Sequence, residues 1–112
     1  MKLSYDVVGE GPAVVMLHGF PENRDAWQKQ VPVLVEAGFR VITPDLRGYG
    51  SSPKPNGVAA YALPLIDEDV AELILDVAGG RCVLVGHDWG AFTASFVAMT
   101  HPELVTKLAI LN

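Results

Sequence analysis

The chain has 112 residues, half of them hydrophobic, which is enough for one domain with an apolar core and too little for two. Its 8 basic and 13 acidic side chains give a net charge of −5 with no basic stripe, which argues against nucleic acid or an anionic membrane as a partner. No apolar run approaches the ~18 residues of a membrane helix, no signal-peptide core is present and there is a single cysteine, so we expect a cytoplasmic protein without disulfides.

The first segments in chain order predict a pair of strands. Residues 3–8 alternate like a strand, and residues 9–12 (Gly-Glu-Gly-Pro) are typical of a turn. We therefore expect the strand at 13–17 to pair antiparallel with the first. This second strand is apolar throughout, which is typical of strands that are buried on both faces of a parallel sheet.

A helix and a third strand are predicted next. We expect Asp25 to cap a helix that carries Trp27, that Pro32 interrupts or restarts, and that ends at Gly38. Residues 40–44 (Arg-Val-Ile-Thr-Pro) then predict a strand.

A second helix is expected to begin at Pro64 and to end before Gly79. The acidic residues 67–69 are expected to open this helix, where they complement its dipole. Its buried face follows the helical spacing of four apolar residues, Val70, Leu73, Ile74 and Val77.

The remaining segments continue the alternation of strand and helix. Residues 82–85 predict a buried strand that contains Cys82, and residues 91–99 predict a helix that is apolar nearly all round and therefore buried. Residues 106–111 predict a last strand. Together the segments predict an α/β fold, a mainly parallel sheet with flanking helices, in one domain over residues 1–112.

The most informative segment is Gly86-His87-Asp88-Trp89-Gly90, between a strand and a helix. This is the context of a nucleophile elbow, with Asp at the position where Ser is more usual. The flanking glycines suit a sharp, strained turn at which a side chain would clash. A carboxylate with an ordinary pKa of about 3.9 is ionised at pH 7 and can attack a saturated carbon to form an enzyme ester. On this motif alone, the alternative is that Asp88 only caps the helix.

Two further motifs, at residues 18–21 (His-Gly-Phe-Pro) and 44–52 (Pro-Asp-Leu-Arg-Gly-Tyr-Gly-Ser-Ser), also come straight after predicted strands. Ligands collect at the carboxyl ends of strands in an open α/β sheet, where all three motifs are expected. In this order the motifs resemble those of the α/β-hydrolase superfamily, and within it most closely the epoxide hydrolases, over essentially the whole chain. The combination favours Asp88 as a nucleophile over a mere cap. Asp45 and Arg47 are expected to brace their loop.

This resemblance implies a chemistry and a set of site residues. Asp88 attacks a ring carbon of an epoxide, and the backbone N–H groups of Phe20 and Trp89 form the oxyanion hole for hydrolysis of the ester to a diol. Trp89, Phe20 and Pro21 are expected to line the substrate pocket. No cofactor and no metal is implied, and the partner is a small-molecule epoxide. The residues expected to support the site are His18, Gly19, Gly86, His87 and Gly90.

Three positions bear on the choice between epoxide and halide. Haloalkane dehalogenases usually carry Asn at the position of Phe20, which has no side-chain donor for a halide. Fluoroacetate dehalogenases carry arginines for the substrate carboxylate, whereas this chain has Trp89 and Phe92. These positions favour a neutral epoxide. A dehalogenase is the alternative enzyme, and a non-catalytic α/β binding or interaction domain with Asp88 as a helix cap is the alternative from another class.

Members of the resembled family are more than twice this length. Their general-base histidine, its acid partner and the cap-domain tyrosines follow the strand with which this sequence ends. We therefore expect the N-terminal half of the fold, a partial α/β-hydrolase fold lacking the cap domain and the C-terminal strands. Alone, it is expected to be alkylated at most once at Asp88 and not to turn over. Its last strand is expected to form an exposed apolar edge that invites self-association.

Overall fold

Strands and helices alternate along the chain, and the predicted α/β class is confirmed. The computed structural model describes residues 1–111. The strands are β1 (Tyr5–Val8), β2 (Ala13–Leu17), β3 (Arg40–Pro44), β4 (Cys82–His87) and β5 (Val105–Leu111). The α-helices are α1 (Gln30–Glu36), α2 (Leu63–Val77) and α3 (Trp89–Thr100), and short 3-10 helices lie at Arg24–Trp27, Val58–Tyr61 and Pro102–Leu104. None of these helices has the length and apolar character needed to cross a bilayer.

The five strands form one sheet in the order β1-β3-β2-β4-β5, parallel except for β1. The prediction that the first two strands pair is wrong. Val15 of β2 lies opposite Ile42 of β3 on one side and Leu84 of β4 on the other, so both edges of β2 are occupied. The first strand therefore pairs antiparallel with β3, where Tyr5 lies opposite Pro44.

Alternate residues of β2 point to opposite faces of the sheet, and helices cover both faces. Val15 and Leu17 belong to the core that contains the buried side chains of α2 and α3. Val14 and Met16 belong to a second core with Trp27 and the apolar side of α1. Every residue of β2 is buried, as its continuous apolar run predicted.

The helix predicted from Asp25 to Gly38 is divided in two. The side chain of Asn23, and not of Asp25, caps the first part by accepting the Asp25 N–H at 2.8 Å. That 3-10 helix ends at Trp27, and α1 begins at Gln30, so the break precedes Pro32. Pro32 lies in the first turn of α1, where an amide N–H has no partner within the helix and its loss costs nothing.

The acidic residues 67–69 do not open a helix as predicted. Helix α2 begins at Leu63 and has no acidic residue in its first turn. Asp67 and Asp69 are buried and have partners instead: Asp69 accepts two hydrogen bonds from the Arg47 guanidinium (2.8 and 2.9 Å), and Asp67 accepts the Thr100 hydroxyl (2.9 Å). These acids therefore hold α2 to other segments. Arg47 braces its loop, as predicted, and its partner Asp69 lies on helix α2.

Helix α3 is less buried than its apolar sequence predicted. Its residues against the core are Gly90, Thr93, Ala94 and Val97, whereas Phe92 and Met99 are 63% and 77% exposed. Helix α3 packs close to the sheet, so small residues face the sheet and the bulky apolar side chains point outward.

Candidate active site

The three sequence motifs meet at the carboxyl ends of the parallel strands. Strand β2 ends directly before His18, β3 ends directly before Asp45, and β4 ends directly before Asp88. These strands are parallel neighbours in the order β3-β2-β4, so the loops that follow them lie side by side. The order and direction of the strands thus bring the three motifs together in the candidate site.

Asp88 lies in the turn between β4 and α3 with φ 58° and ψ −124°, the only non-glycine residue in 1–111 with a positive φ. Flanking glycines allow this strained turn. A Cβ on Gly86 would lie 2.4 Å from the carbonyl oxygen of Gly90, and a Cβ on Gly90 would lie 2.2 Å from that of Leu17. The glycines therefore let the start of α3 approach both β4 and β2, and this close packing fixes the position of Asp88.

The carboxylate of Asp88 does not cap its own helix. Although Asp88 is at the N-cap position of α3, its side chain makes no capping hydrogen bond. Its Oδ2 instead accepts the N–H of Phe20 at 3.1 Å, from the loop after β2. The backbone amides of Trp89 and Phe20 lower the pKa of Asp88 below its ordinary value, so the group is ionised at neutral pH. This geometry disfavours the interpretation of Asp88 as a cap alone.

The peptide unit between Gly19 and Phe20 is held on its carbonyl side as well. The oxygen of Gly19 accepts the N–H of Glu22 at 2.9 Å and lies 3.0 Å from Nδ1 of His18. A Cβ on Gly19 would lie 2.5 Å from the Cβ of Asp88, so only glycine allows this loop to approach the elbow.

His18 is buried and uses both ring nitrogens. Its Nε2 accepts the N–H of Leu46 at 2.9 Å, which leaves the proton on Nδ1 for the bond to Gly19. Burial lowers the pKa of His18 and favours this neutral form. With both nitrogens engaged, His18 suits the supporting role predicted for it and not that of a base.

The other two histidines differ in their distance from Asp88. His87 is half-buried, and its Nδ1 lies 3.6 Å from Oε1 of Glu22. His101 follows the far end of α3, about 20 Å along the helix axis from Asp88 at 1.5 Å per residue, and contacts Asp67 at 3.4 Å. His101 is therefore too far away to activate a water molecule at Asp88.

A cavity of about 410 Å³ opens beside the carboxylate. Its lining consists of His87, Asp88, Ala91, Phe92, Ser95, Ile110 and Leu111. The residues predicted as pocket lining, Phe20, Pro21 and Trp89, are not among them, and the side chains of Phe20 and Trp89 are 60% and 61% exposed. Their role in binding a substrate stays a prediction.

The sequence contained a signal for part of this lining, of which our prediction used only Phe92. Ala91, Phe92 and Ser95 stand three, four and seven residues after Asp88, which is the spacing of one helix face. Ile110, in contrast, comes from β5 and is brought to the cavity only by strand pairing.

Asp45 connects the loop after β3 to the start of the first 3-10 helix. Its carboxylate accepts the Arg24 amide at 2.7 Å, the Arg24 guanidinium at 2.8 Å and the Ser51 amide at 2.9 Å. Burial raises the pKa of Asp45, but these bonds outweigh burial and the pKa is lowered overall. The predicted bracing role of Asp45 is confirmed, with Arg24 as its partner.

Two further features of the described residues concern metal-ligating groups and the free thiol. Within residues 1–111, no group of three or more His, Cys, Asp or Glu side chains is arranged to hold a metal ion. Cys82 is buried and free, as predicted, and burial raises its pKa to about 12, so the thiol stays protonated at neutral pH.

Known proteins resemble this chain in sequence and in fold. The family model for the alpha/beta hydrolase fold matches residues 12–112. The AB hydrolase superfamily protein YfhM of Bacillus subtilis (strain 168) is 43% identical over 103 residues, which cover 92% of this chain and 36% of that protein. Bifunctional epoxide hydrolase 2 of Rattus norvegicus is 38% identical over 112 residues, which cover 100% of this chain and 20% of that protein.

A solved structure shows the same fold. A mutant epoxide hydrolase from Vigna radiata matches with a TM-score of 0.95 and 36% identity, over 98% of this chain and 35% of that one. The chain thus spans about a third or less of the length of these three relatives.

Proposed function

Since the chain belongs to the α/β-hydrolase fold family, we propose that it supplies the nucleophile and the oxyanion hole of an epoxide-hydrolase-like enzyme. Asp88 is the nucleophile, and the N–H groups of Phe20 and Trp89 are the oxyanion donors. The observation that carries this proposal is the 3.1 Å hydrogen bond from the Phe20 amide to Oδ2 of Asp88, across two loops that are distant in sequence. The epoxide hydrolases among the relatives support the choice of reaction.

In the first step the carboxylate forms an ester. Oδ2 is held by the Phe20 amide, so Oδ1 is the oxygen that attacks a ring carbon. A C–O bond forms to Asp88, the ring C–O bond breaks, and the ring oxygen takes the bonding pair and a proton. Solvent water supplies this proton in the isolated chain, whereas in the whole protein we expect the cap-domain tyrosines to supply it. The lowered pKa of Asp88 keeps the attacking group ionised throughout the neutral range.

In the second step water attacks the Cγ of the ester. The carbonyl oxygen, formerly Oδ2, becomes an oxyanion between the amides of Phe20 and Trp89, and its collapse releases the diol and restores the carboxylate. Loss of one such donor typically costs about 100- to 1,000-fold in rate. The water needs a base, and His18 and His101 are excluded by their bonds and their distance. We assign His87, whose Nδ1 lies 3.6 Å from the Glu22 carboxylate, to support of the site and not to the base. We therefore propose that residues 1–112 alone form the ester but do not turn over.

The cavity favours a neutral substrate. Apart from His87, Asp88 and Ser95, its lining is apolar and includes an aromatic side chain, Phe92. No Lys or Arg is among the lining residues in the described part of the chain, so a substrate carboxylate would find no cation there. An apolar epoxide fits this lining better than a haloacid.

The test of the nucleophile is covalent labelling of the chain. Incubation with a reactive aryl epoxide is expected to add the mass of one epoxide molecule, and peptide mapping is expected to place the adduct on Asp88. Asp88→Asn is the matched control, because Asn suits the N-cap position about as well as Asp but is not a nucleophile. We expect this variant to fold and to remain unlabelled.

Three results would contradict parts of the proposal. Equal labelling of Asp88→Asn would remove Asp88 as the nucleophile. Repeated diol release by the isolated chain would show that it can activate water by itself. Halide release from haloalkanes by the whole protein, with no diol from epoxides, would replace epoxide hydrolysis with dehalogenation.

A further inference from the structure

Glu22 is a charged residue to which the proposed chemistry gives no role, yet it is bound twice to the loop that carries Phe20. Its carboxylate Oε1 accepts the N–H of Gly19 at 3.1 Å, and its own N–H donates to the oxygen of Gly19 at 2.9 Å. Glu22 therefore closes a four-residue turn by binding both peptide units of Gly19.

These bonds decide where the Phe20 amide points. A peptide unit is planar and trans, so its C=O and N–H point in opposite directions. The Gly19 oxygen is held by the Glu22 N–H and lies 3.0 Å from His18 Nδ1, and the N–H of the same unit, that of Phe20, points at Asp88. Glycine is the residue least able to hold its own backbone in place, so external bonds must fix both of its peptide units.

The carboxylate of Glu22 also reaches the strand that carries the nucleophile. Its Oε1 lies 3.6 Å from Nδ1 of His87, the residue before Asp88, and both side chains are 39% exposed. One carboxylate thus contacts the loop with an oxyanion donor and the strand that leads to the elbow.

We propose that Glu22 is a positioning residue that keeps the Phe20 amide directed at the Asp88 carboxyl. This inference rests on the proposed function, because it requires an ester at Asp88 whose hydrolysis passes through an oxyanion. Glu22 acts through Gly19 and does not touch the substrate. Since the oxyanion forms during hydrolysis of the ester, the loss of Glu22 slows that step more than it slows alkylation.

The test compares substitutions of Glu22 in the whole protein as its gene encodes it. Glu22→Ala removes the acceptor of the Gly19 N–H, whereas Glu22→Gln keeps a carbonyl oxygen at the same reach. We expect Glu22→Ala to lower kcat by about 10- to 100-fold, the size of effect that a misplaced catalytic group produces. We expect kcat/KM, which reports alkylation, to change little.

Two further readouts separate positioning from a loss of folding. The ester at Asp88 is expected to accumulate in the mass spectrum of quenched Glu22→Ala, and Glu22→Gln is expected to restore wild-type kinetics. A variant that merely folds less well would lose kcat and kcat/KM in parallel and accumulate no ester. Glu36→Ala, an exposed glutamate at the end of α1, is the matched control and is expected to behave as wild type.

Glu22→Asp keeps the charge but shortens the reach, and we expect it to accumulate the ester as well, which keeps the test valid if Glu22→Ala does not fold. Wild-type kinetics in both Glu22→Ala and Glu22→Asp would overturn the inference. Failure of Glu22→Gln to rescue would overturn it too, since that variant retains the acceptor. If wild type itself gives no adduct on Asp88, the proposed function fails. If wild type reacts and the Glu22 variants behave like it, only the inference about Glu22 fails.

Discussion

At the scale of the single residue, His18 shows how one side chain fixes two loops of the site. Its ring lies between the Gly19 carbonyl, which accepts from Nδ1, and the Leu46 amide, which donates to Nε2. This arrangement requires a neutral ring with its proton on Nδ1, because a protonated Nε2 would face a donor. The edge-on contact with Tyr49, at 5.2 Å between ring centroids, packs the ring from another side.

The pH dependence of stability follows from His18. Its folded pKa is lowered from 6.5, so protonation favours the unfolded chain. The stabilisation is therefore fully present above pH 6.5 and is lost as the pH falls toward the folded pKa. We expect the free energy of unfolding by urea to fall between pH 7 and pH 5, and His18→Gln to have a smaller slope in this range. His101→Gln is the control, and an equal loss of slope in this control would contradict the assignment to His18.

At the scale of the element, buried acids fix the position of helix α2. Asp69 is 1% exposed and binds the Arg47 guanidinium, which also donates to the Ala60 carbonyl at 2.8 Å. The helix is thereby held to the loop after β3. Such a pair is costly to break on one side, because the remaining charge stays buried without its partner.

Removal of one partner of this pair is expected to destabilise the protein strongly. Asp69→Ala should lower the free energy of unfolding by about 3–5 kcal/mol, because Arg47 is left buried and uncompensated. The neighbouring Glu68 is exposed, so Glu68→Ala should change stability by less than about 0.5 kcal/mol. Replacement of both partners, as Arg47→Met with Asp69→Leu, should recover most of the loss. A denaturant titration of the three variants measures this, and equal values for Asp69→Ala and Glu68→Ala would contradict it.

At the scale of the whole molecule, the sheet ends in β1 on one side and β5 on the other in the described chain. Strand β5 is an exposed apolar edge, as predicted: Leu108, Ile110 and Leu111 are 41–44% exposed. Unpaired strand edges with apolar side chains are templates for pairing with another chain. Self-association through this edge stays a prediction.

The isolated 112-residue chain is expected to associate as its concentration rises. Ile110→Lys places a charge on the β5 edge and should shift the association to higher concentration, as measured by sedimentation velocity. Leu75→Lys, at an exposed leucine of α2 away from the edge strand, is the matched control. The edge is not the contact if both variants associate like wild type.

Local patterns predicted what depends on neighbours in sequence. The apolar run of β2 predicted its burial on both faces, because a strand without polar residues has no side that tolerates water. The glycines around Asp88 predicted the sharp turn, because the steric limits there are set within five residues. The order of strands and helices predicted the fold class, and it predicted that the three motifs meet at the carboxyl ends of the strands.

Tertiary structure alone decided what depends on residues far apart in the chain. The partner of β1 was decided by which strand edge remained free once β2 lay between β3 and β4. Asp69 of α2 binds the buried Arg47 and Asp67 binds Thr100, both from other segments. These carboxylates therefore hold the helix in place and do not complement its dipole. The direction of the Phe20 amide depends on bonds to His18, Glu22 and Asp88, and no periodicity encodes it, because hydrogen bonds between loops are set only when the sheet brings those loops together.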